Sequence, residues 1–491
     1  MANRLPTRFD APHGRLPAQN AIIVFTMKDF QSESLSHDPL HGYIPFTSRG
    51  GSPGEVAERQ IIDHPWVQRL RQIHQLQTAW YVYPTAEHTR FQHVLGVMHL
   101  GSRAVAALYE SLKEVCPDVP SRGYVETLVR MAGLLHDVGH GPFGHFFDEH
   151  FLSSFGLTHE ILGSTIICQD LGELLRNVRR NPFSQMELGE TLDPAQIAFL
   201  ITRPKKNQAN DGPQWLRFLR SLFSGIYTVD NLDFVLRDAY MSGYSARAVD
   251  VERLFRYSFF SPAGLTIHAR GSDALVRFIS VRAELFRTIY FHRTVRAIDL
   301  TLKDLFAESK QFLFPGNPLE HLRKYQHFTE WSLLVDVARW HESDDPRKRA
   351  LGARWQEFLN RQIRWKMVCQ RNLMFGAESA ENSSIFSKAE FVESALRGAL
   401  PAELRELPLR IDLARHVHRP DTRGPAAGQN FLYDPAGDQI RPLTDDHLFR
   451  QLPISHRICR VYAESLDHSA ALCAALDGLI GPGGSDDLTN M

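Results

Sequence analysis

Residues 124–150 read YVETLVRMAGLLHDVGHGPFGHFFDEH, and the way this stretch divides decides the fold. Its first half is helical. Val125, Leu128, Met131, Ala132 and Leu135 recur at steps of three and four and leave one apolar face. The spacing predicts a helix over 124–138 that stops at Gly139. The second half is not a continuation. Gly139, Gly141, Pro142 and Gly144 turn the chain, while His136, Asp137, His140, His145, Asp148, Glu149 and His150 crowd together. Packing gives no reason for a histidine-rich loop directly after a buried helix. Imidazole nitrogen with carboxylate oxygen suits a divalent ion such as manganese, iron, zinc or magnesium. An isolated His-Asp pair is more often a helix cap, so the pair means metal only where other donors converge on it.

Such donors occur outward along the chain. Upstream, His88-Thr89-Arg90-Phe91-Gln92-His93 opens a helix that runs to Lys113 through Gly96, Gly101, Ala104, Ala106 and Ala107. Those small residues admit close approach of another helix. Arg90 and His93 are three apart and share a face. Arginine suits a phosphate oxygen there and histidine a metal. Downstream, Thr158-His159-Glu160 offers a histidine beside a carboxylate. VDNLDFVLRDAY then puts Asp230, Asp233 and Arg237 on one helical face. Asp233 with Arg237 reads equally as a surface salt bridge. The order is His, His-Asp, Asp, each on its own expected helix.

Further helices are expected over 55–77 (with Pro65 opening a second piece), 158–175, 227–241 and 272–310. Residues 311–384 read as amphipathic helix, 408–450 as turns between short strands, and 467–479 as helix again. The 491 residues are 43% hydrophobic and 23% charged, an ordinary globular composition. The formal net charge of -1 supplies no global basic field for nucleic acid, although a local patch remains open. Cys116, Cys168, Cys369, Cys459 and Cys473 form no CxxC pair, which reads as a reducing, cytoplasmic setting. No segment is apolar for long enough to cross a bilayer, and the first residues lack a signal-peptide core.

HTRFQHVLG, HDVGHGPFGH, THE and VDNLDFVLRD resemble the successive motifs of HD-domain deoxynucleoside triphosphate triphosphohydrolases. DPLHGYI, IIDHPWVQRLRQIHQL, YFHR and RVYAESLD extend the resemblance over roughly 36–480. It implies a mainly α fold, an HD-domain helical core with a smaller α+β C-terminal lobe. The expected division is a flexible arm at 1–36, the phosphohydrolase domain at 37–310, a C-terminal oligomerisation or regulatory lobe at 311–480, and a tail at 481–491. The resemblance implies metal ligation by His93, His136, Asp137 and Asp230. It implies that His140, Asp148 and His159 surround the α-phosphate and the attacking water. Arg90 would grip phosphate, and Gln75 and Leu76 would read the 3'-hydroxyl and crowd out a 2'-hydroxyl. His145, Asp238, Arg282 and Tyr290 resemble further substrate contacts. Asp63, Gln68 and Arg71 match positions for an activating nucleotide (GTP or a dNTP) at the interface of a dimer or tetramer. The implied reaction converts a dNTP, dGTP among the candidates, to deoxynucleoside and triphosphate.

Three positions depart from the family pattern. Asn231 stands where the family has lysine, Phe234 where it has tyrosine, and Phe286 where it has histidine. The expected metal set is complete, but the triphosphate pocket is altered. A phosphatase or phosphodiesterase acting on another nucleotide is therefore a second reading. A nucleotide-sensing or single-stranded nucleic-acid-binding regulator is a third, opposed by the complete ligand set.

Overall fold

A computed structural model describes residues 31–203, 212–375, 385–417, 430–452 and 455–480. Most of the arm expected at 1–36, the tail, Pro204 to Lys206 of a basic run and the turn-rich 418–429 lie outside them. From Glu33 the chain is already a strand: β1 (Glu33–Asp38) pairs antiparallel with β2 (Gly42–Thr47).

The long helix α1 (Arg90–Val115) packs along α2 (Arg122–Leu135). Glycine makes the approach close. A Cβ on Gly101 would stand 3.0 Å from Val129, and one on Gly133 would stand 3.0 Å from the backbone at Val97 and Met98. Thr89 opens α1 with a capping box, its N–H donating to Oε1 of Gln92 at 2.8 Å. Around this pair lie α3 (His159–Gln169) and α4 (Val229–Met241). The helix α4 is capped by Thr228, whose Oγ1 accepts from the Asn231 N–H at 3.0 Å. The strands β3 (Ser258–Ser261) and β4 (Gly264–His268) follow, then α5 (Ser272–Leu285), α6 (Arg293–Leu313), α7 (Glu330–Ala338) and α8 (Pro346–Leu359).

The C-terminal part is α+β. Strands β5 (Lys366–Phe375), β6 (Leu409–Val417) and β9 (Ser455–Ala463) form an antiparallel sheet in the order β5-β9-β6. It packs on α9 (Ala389–Ala399) and α10 (Ser469–Ile480) through Val392, Leu396, Leu472 and Leu476. Between these elements, β7 (Asn430–Asp434) and β8 (Gln439–Pro442) return to the helical core, where β7 lies parallel to β4. The main apolar cluster accordingly includes Leu432, Leu443 and Phe449 beside residues of α1 and α2.

Three local expectations change. The helix expected over 272–310 is broken: Phe286–Tyr290 is a π-helical turn, and His292 caps a new helix. The stretch 311–384 is not helical throughout, because Lys366–Phe375 is a strand whose pairing with β9 outweighs its local pattern. Residues 55–77 form only the short helices Glu58–Ile62 and Pro65–Gln68 with a 3-10 turn, Arg69–Gln72.

Candidate metal and phosphate site

Helices α1, α2 and α4 bring His93, His136 and Asp230 together. Nε2 of His93 lies 3.2 Å from Nε2 of His136 and 3.1 Å from Oδ1 of Asp230. The His136 to Asp230 separation is 3.7 Å. Two donors each about 2.1 Å from one ion stand about 3–3.5 Å apart at ordinary bond angles, so this spacing fits a divalent cation. Asp137 is adjacent, its Oδ1 3.3 Å from Nε2 of His136. Its Oδ2 instead accepts from Nη1 of Arg90 at 2.7 Å.

The other side of each imidazole is held. Nδ1 of His136 lies 2.8 Å from the Gly133 carbonyl, and Nδ1 of His93 lies 2.8 Å from Oδ2 of Asp233. That support orients both rings and turns both Nε2 atoms toward the space a metal would take. Asp233 is fully buried and takes two bonds from Arg237, each at 2.9 Å. Nε2 of His41 lies 2.6 Å from its other oxygen, and Arg237 also donates to Asp38 at 2.8 Å. The Asp233–Arg237 pair is therefore interior, not a surface bridge. DPLHGYI supplies Asp38 and His41 to this layer, a role no local spacing announces.

Charge in the cluster follows. Burial alone would lower the His93 pKa, but Asp230 and Asp233 overcome it and push it up to about 10. Burial opposes ionisation of Asp137 and Asp230 too, yet the neighbouring histidines, and Arg90 for Asp137, hold both carboxyls below the usual range. Arg90 pairs with Asp137 and Arg237 with Asp233, so Asp230, which meets only His93 and His136 at short range, is the carboxylate best placed to meet a metal.

Beside it lie His140, His145, Asp148 and His159. Nδ1 of His159 bonds Asp148, and the His140 ring stacks on His159 at 3.7 Å and 18°. His140 is buried behind His159, and burial followed by Arg90 and His159 hold its pKa well below the ordinary value. It is neutral at physiological pH. Asp148 stays ionised because the surrounding histidines outweigh burial. Near-parallel stacked rings cannot both place one ion in their planes, so this group reads as a proton-handling cluster and not a second metal seat.

A cavity of about 600 Å³ joins these groups to the substrate-type residues. His93, His136, Asp137, Asp230, His145 and His159 line it. So do Gln75, Leu76, Arg90, Asp238, Arg282 and Tyr290. Asp238 bonds the Tyr290 hydroxyl and stands 2.7 Å from Nε2 of His88. The Oε1 of Gln75 and the Nε atoms of Arg90 and Arg282 are buried with no bonding partner, as a ligand-binding wall would leave them. Asn231, Phe234 and Phe286 line the same cavity. Asp63, Gln68 and Arg71 do not. Arg71 donates to Gln68 at 2.9 Å and lies over the Phe91 ring, and Asp63 is exposed beside Arg59.

The family profile of the HD domain matches residues 90–201. Human deoxynucleoside triphosphate triphosphohydrolase SAMHD1 is 27% identical over 92% of this chain and 73% of its own length. The chain carries an HD domain. The Bos taurus protein of the same name is 31% identical over 60% of this chain, which spans half of that protein. An uncharacterized Bacillus subtilis protein, YwfO, is 28% identical over 67% of this chain and 71% of itself. A crystal structure of a hypothetical protein from Aquifex aeolicus shares the fold, with a TM-score of 0.63, 22% identity, and coverage of 90% of this chain and all of that one. In general class the HD-domain chain is a metal-dependent phosphohydrolase. No helix among the described residues is long and apolar enough to cross a membrane.

Proposed function

We propose that the chain hydrolyses deoxynucleoside triphosphates to deoxynucleoside and triphosphate. One observation carries the reading: a single cavity is lined both by the donor cluster with Arg90 and by Gln75, Leu76 and Tyr290. Its volume suits one nucleotide. The similarity to proteins named as dNTP triphosphohydrolases supports the same substrate class.

His93, His136, Asp137 and Asp230 would hold the ion, which supplies Lewis acidity to water and to phosphate oxygens. Arg90 is tethered at Nη1 by Asp137 and keeps its Nε unpaired, so its guanidinium binds phosphate beside the ion. Asp148 holds Nδ1 of His159, which leaves Nε2 to exchange a proton. Attack of water on the α-phosphorus breaks the bond to O5', which takes a proton and departs as deoxynucleoside. Leu76, 6% exposed, forms a wall that crowds a 2'-hydroxyl. Asp63, Gln68 and Arg71, on the outer surface, would take a GTP or dNTP activator between subunits of a dimer or tetramer.

The test is a product-resolved assay of all common dNTPs and NTPs, singly and in pairs, with manganese. Release of triphosphate from a dNTP supports the reading, and no release under any pairing overturns it. Asn231 and Phe234 favour a second reading, hydrolysis of another nucleotide ester, because they remove a cation and a hydroxyl from the cavity wall. That reading predicts orthophosphate or a monophosphate as product.

A further inference from the structure

The segment 74–78 carries Gln75 and Leu76 to the cavity, yet it belongs to no regular helix or sheet. Apart from an isolated bridge between His74 and Thr89, its backbone is irregular. Gln77 sits at φ +47°, in the left-handed region. A non-glycine residue there is strained and persists only where its surroundings enforce it.

Two buried carboxylates enforce it. On one side, Oδ1 of Asp299 accepts from Nε2 of Gln77 at 2.9 Å and from the Thr78 hydroxyl at 2.5 Å. Asp299 lies on α6 and is itself held by Arg296 at 3.0 Å. On the other side, Oε1 of Glu330, at the start of α7, lies 2.7 Å from Nδ1 of His74. Its Oε2 accepts from the His74 N–H at 3.3 Å. The same oxygen accepts from the Phe143 N–H at 3.3 Å. Phe143, at φ +62°, is the other left-handed non-glycine residue beside the site and lies between His140 and His145. Glu330 is fully buried and Asp299 is 6% exposed. Glu330 stands outside the cavity and Asp299 lines it beside Gln77, and each fixes the backbone that presents Gln75 and Leu76.

We propose that Glu330 and Asp299 are positioning residues for sugar discrimination, and that Glu330 also locks the sugar-reading segment to the loop carrying His140 and His145. This rests on the dNTP reading above. The chemistry is that of a steric gate. Leu76 excludes a 2'-hydroxyl only while its backbone is held within a fraction of an ångström, and Gln75 binds a 3'-hydroxyl only in the same register.

The test compares wild type with Glu330→Gln and Asp299→Asn, both close in shape. It measures kcat/KM for a dNTP and for the matching NTP with manganese, together with bound metal and Tm. Leu76→Ala serves as the control in which the gate itself is removed. Expected is a fall of about tenfold or more in the dNTP:NTP ratio in both variants, with metal stoichiometry unchanged. A larger loss of kcat is expected for Glu330→Gln, since only Glu330 also holds Phe143. A lowered Tm with an unchanged ratio makes the two carboxylates anchors of the fold alone and overturns the proposal, as does no change at all. Should Glu330→Gln fail to fold, His74→Gln breaks the same contact from the other side. A wild type that cleaves no dNTP removes the underlying reading and this proposal with it. A discriminating wild type with equally discriminating variants removes this proposal only.

Discussion

Nδ1 of His93 lies 2.8 Å from Oδ2 of Asp233, and this contact aims the opposite nitrogen at Asp230 and His136. Asp233 would therefore act on a bound metal through a histidine that is itself buried. Asp233→Asn keeps the shape and removes the charge. The expected outcome is a loss of about 10–100-fold in metal affinity, read by metal content after dialysis against graded chelator. Tm should fall as well, because His41 and Arg237 lose a charged partner, although Arg237 keeps Asp38.

Removing the metal should abolish hydrolysis reversibly. Chelation followed by dialysis is expected to give inactive, folded protein, and adding manganese should restore turnover. His136→Ala should not be rescued by any metal concentration that saturates wild type. Activity surviving chelation to below detection of bound metal would refute the role of the cluster.

Gly139 lies where α2 approaches α3. Its φ is not left-handed, so conformational freedom is not what the glycine supplies. A Cβ there would stand 2.0 Å from the His159 carbonyl oxygen. Gly139→Ala should therefore push α3 away, cost about 1–3 kcal/mol of stability, and lower kcat by shifting His159. Thermal melts and kinetics at saturating substrate check both parts.

Asn231→Lys returns a cation to the cavity wall one residue after Asp230. KM for a triphosphate substrate is expected to fall about tenfold while that for a neutral leaving-group ester is unchanged, and added salt should erode the gain. Equal KM values for both variants would assign the phosphate grip to Arg90 without help from this position.

Acid should destabilise the fold through His99. Burial, followed by the charges of His41, Arg103 and Arg130, lowers its pKa to about 4, with Asp38 opposing. A folded pKa below the unfolded value of about 6.5 means the neutral ring is favoured in the fold. That contribution is complete above the unfolded pKa and is lost as pH falls toward 4. His99→Leu should flatten the fall of Tm between pH 6.5 and 4, measured against wild type in the same buffers.

The sequence carries the ligand helices well because their signal is local. Val125 to Leu135 declare an apolar face, and His136-Asp137 with its glycines declares that the helix ends for a chemical reason. The π turn at Phe286–Tyr290 is not legible, since no residue there breaks a helical pattern and the extra residue is enforced by tertiary contacts of Tyr290 with Asp238. The strand Lys366–Phe375 is likewise hidden, because its partner Ser455–Ala463 is distant in sequence. Glu330, Asp38 and His41 escape for the same reason. Each matters through long-range contacts, and a charged residue at a helix start or in a hairpin looks ordinary by itself.

The parallel pairing of Gly264–His268 with Asn430–Asp434 bears on synthesis of the chain. As the protein leaves the ribosome, the first of these strands can pair at once with Ser258–Ser261, but its other edge must wait for the second to emerge. Until then the nascent chain carries an open β edge against an otherwise formable helical core. A fragment stopped after Leu359 would keep that edge permanently, which makes it the place where truncated forms should self-associate.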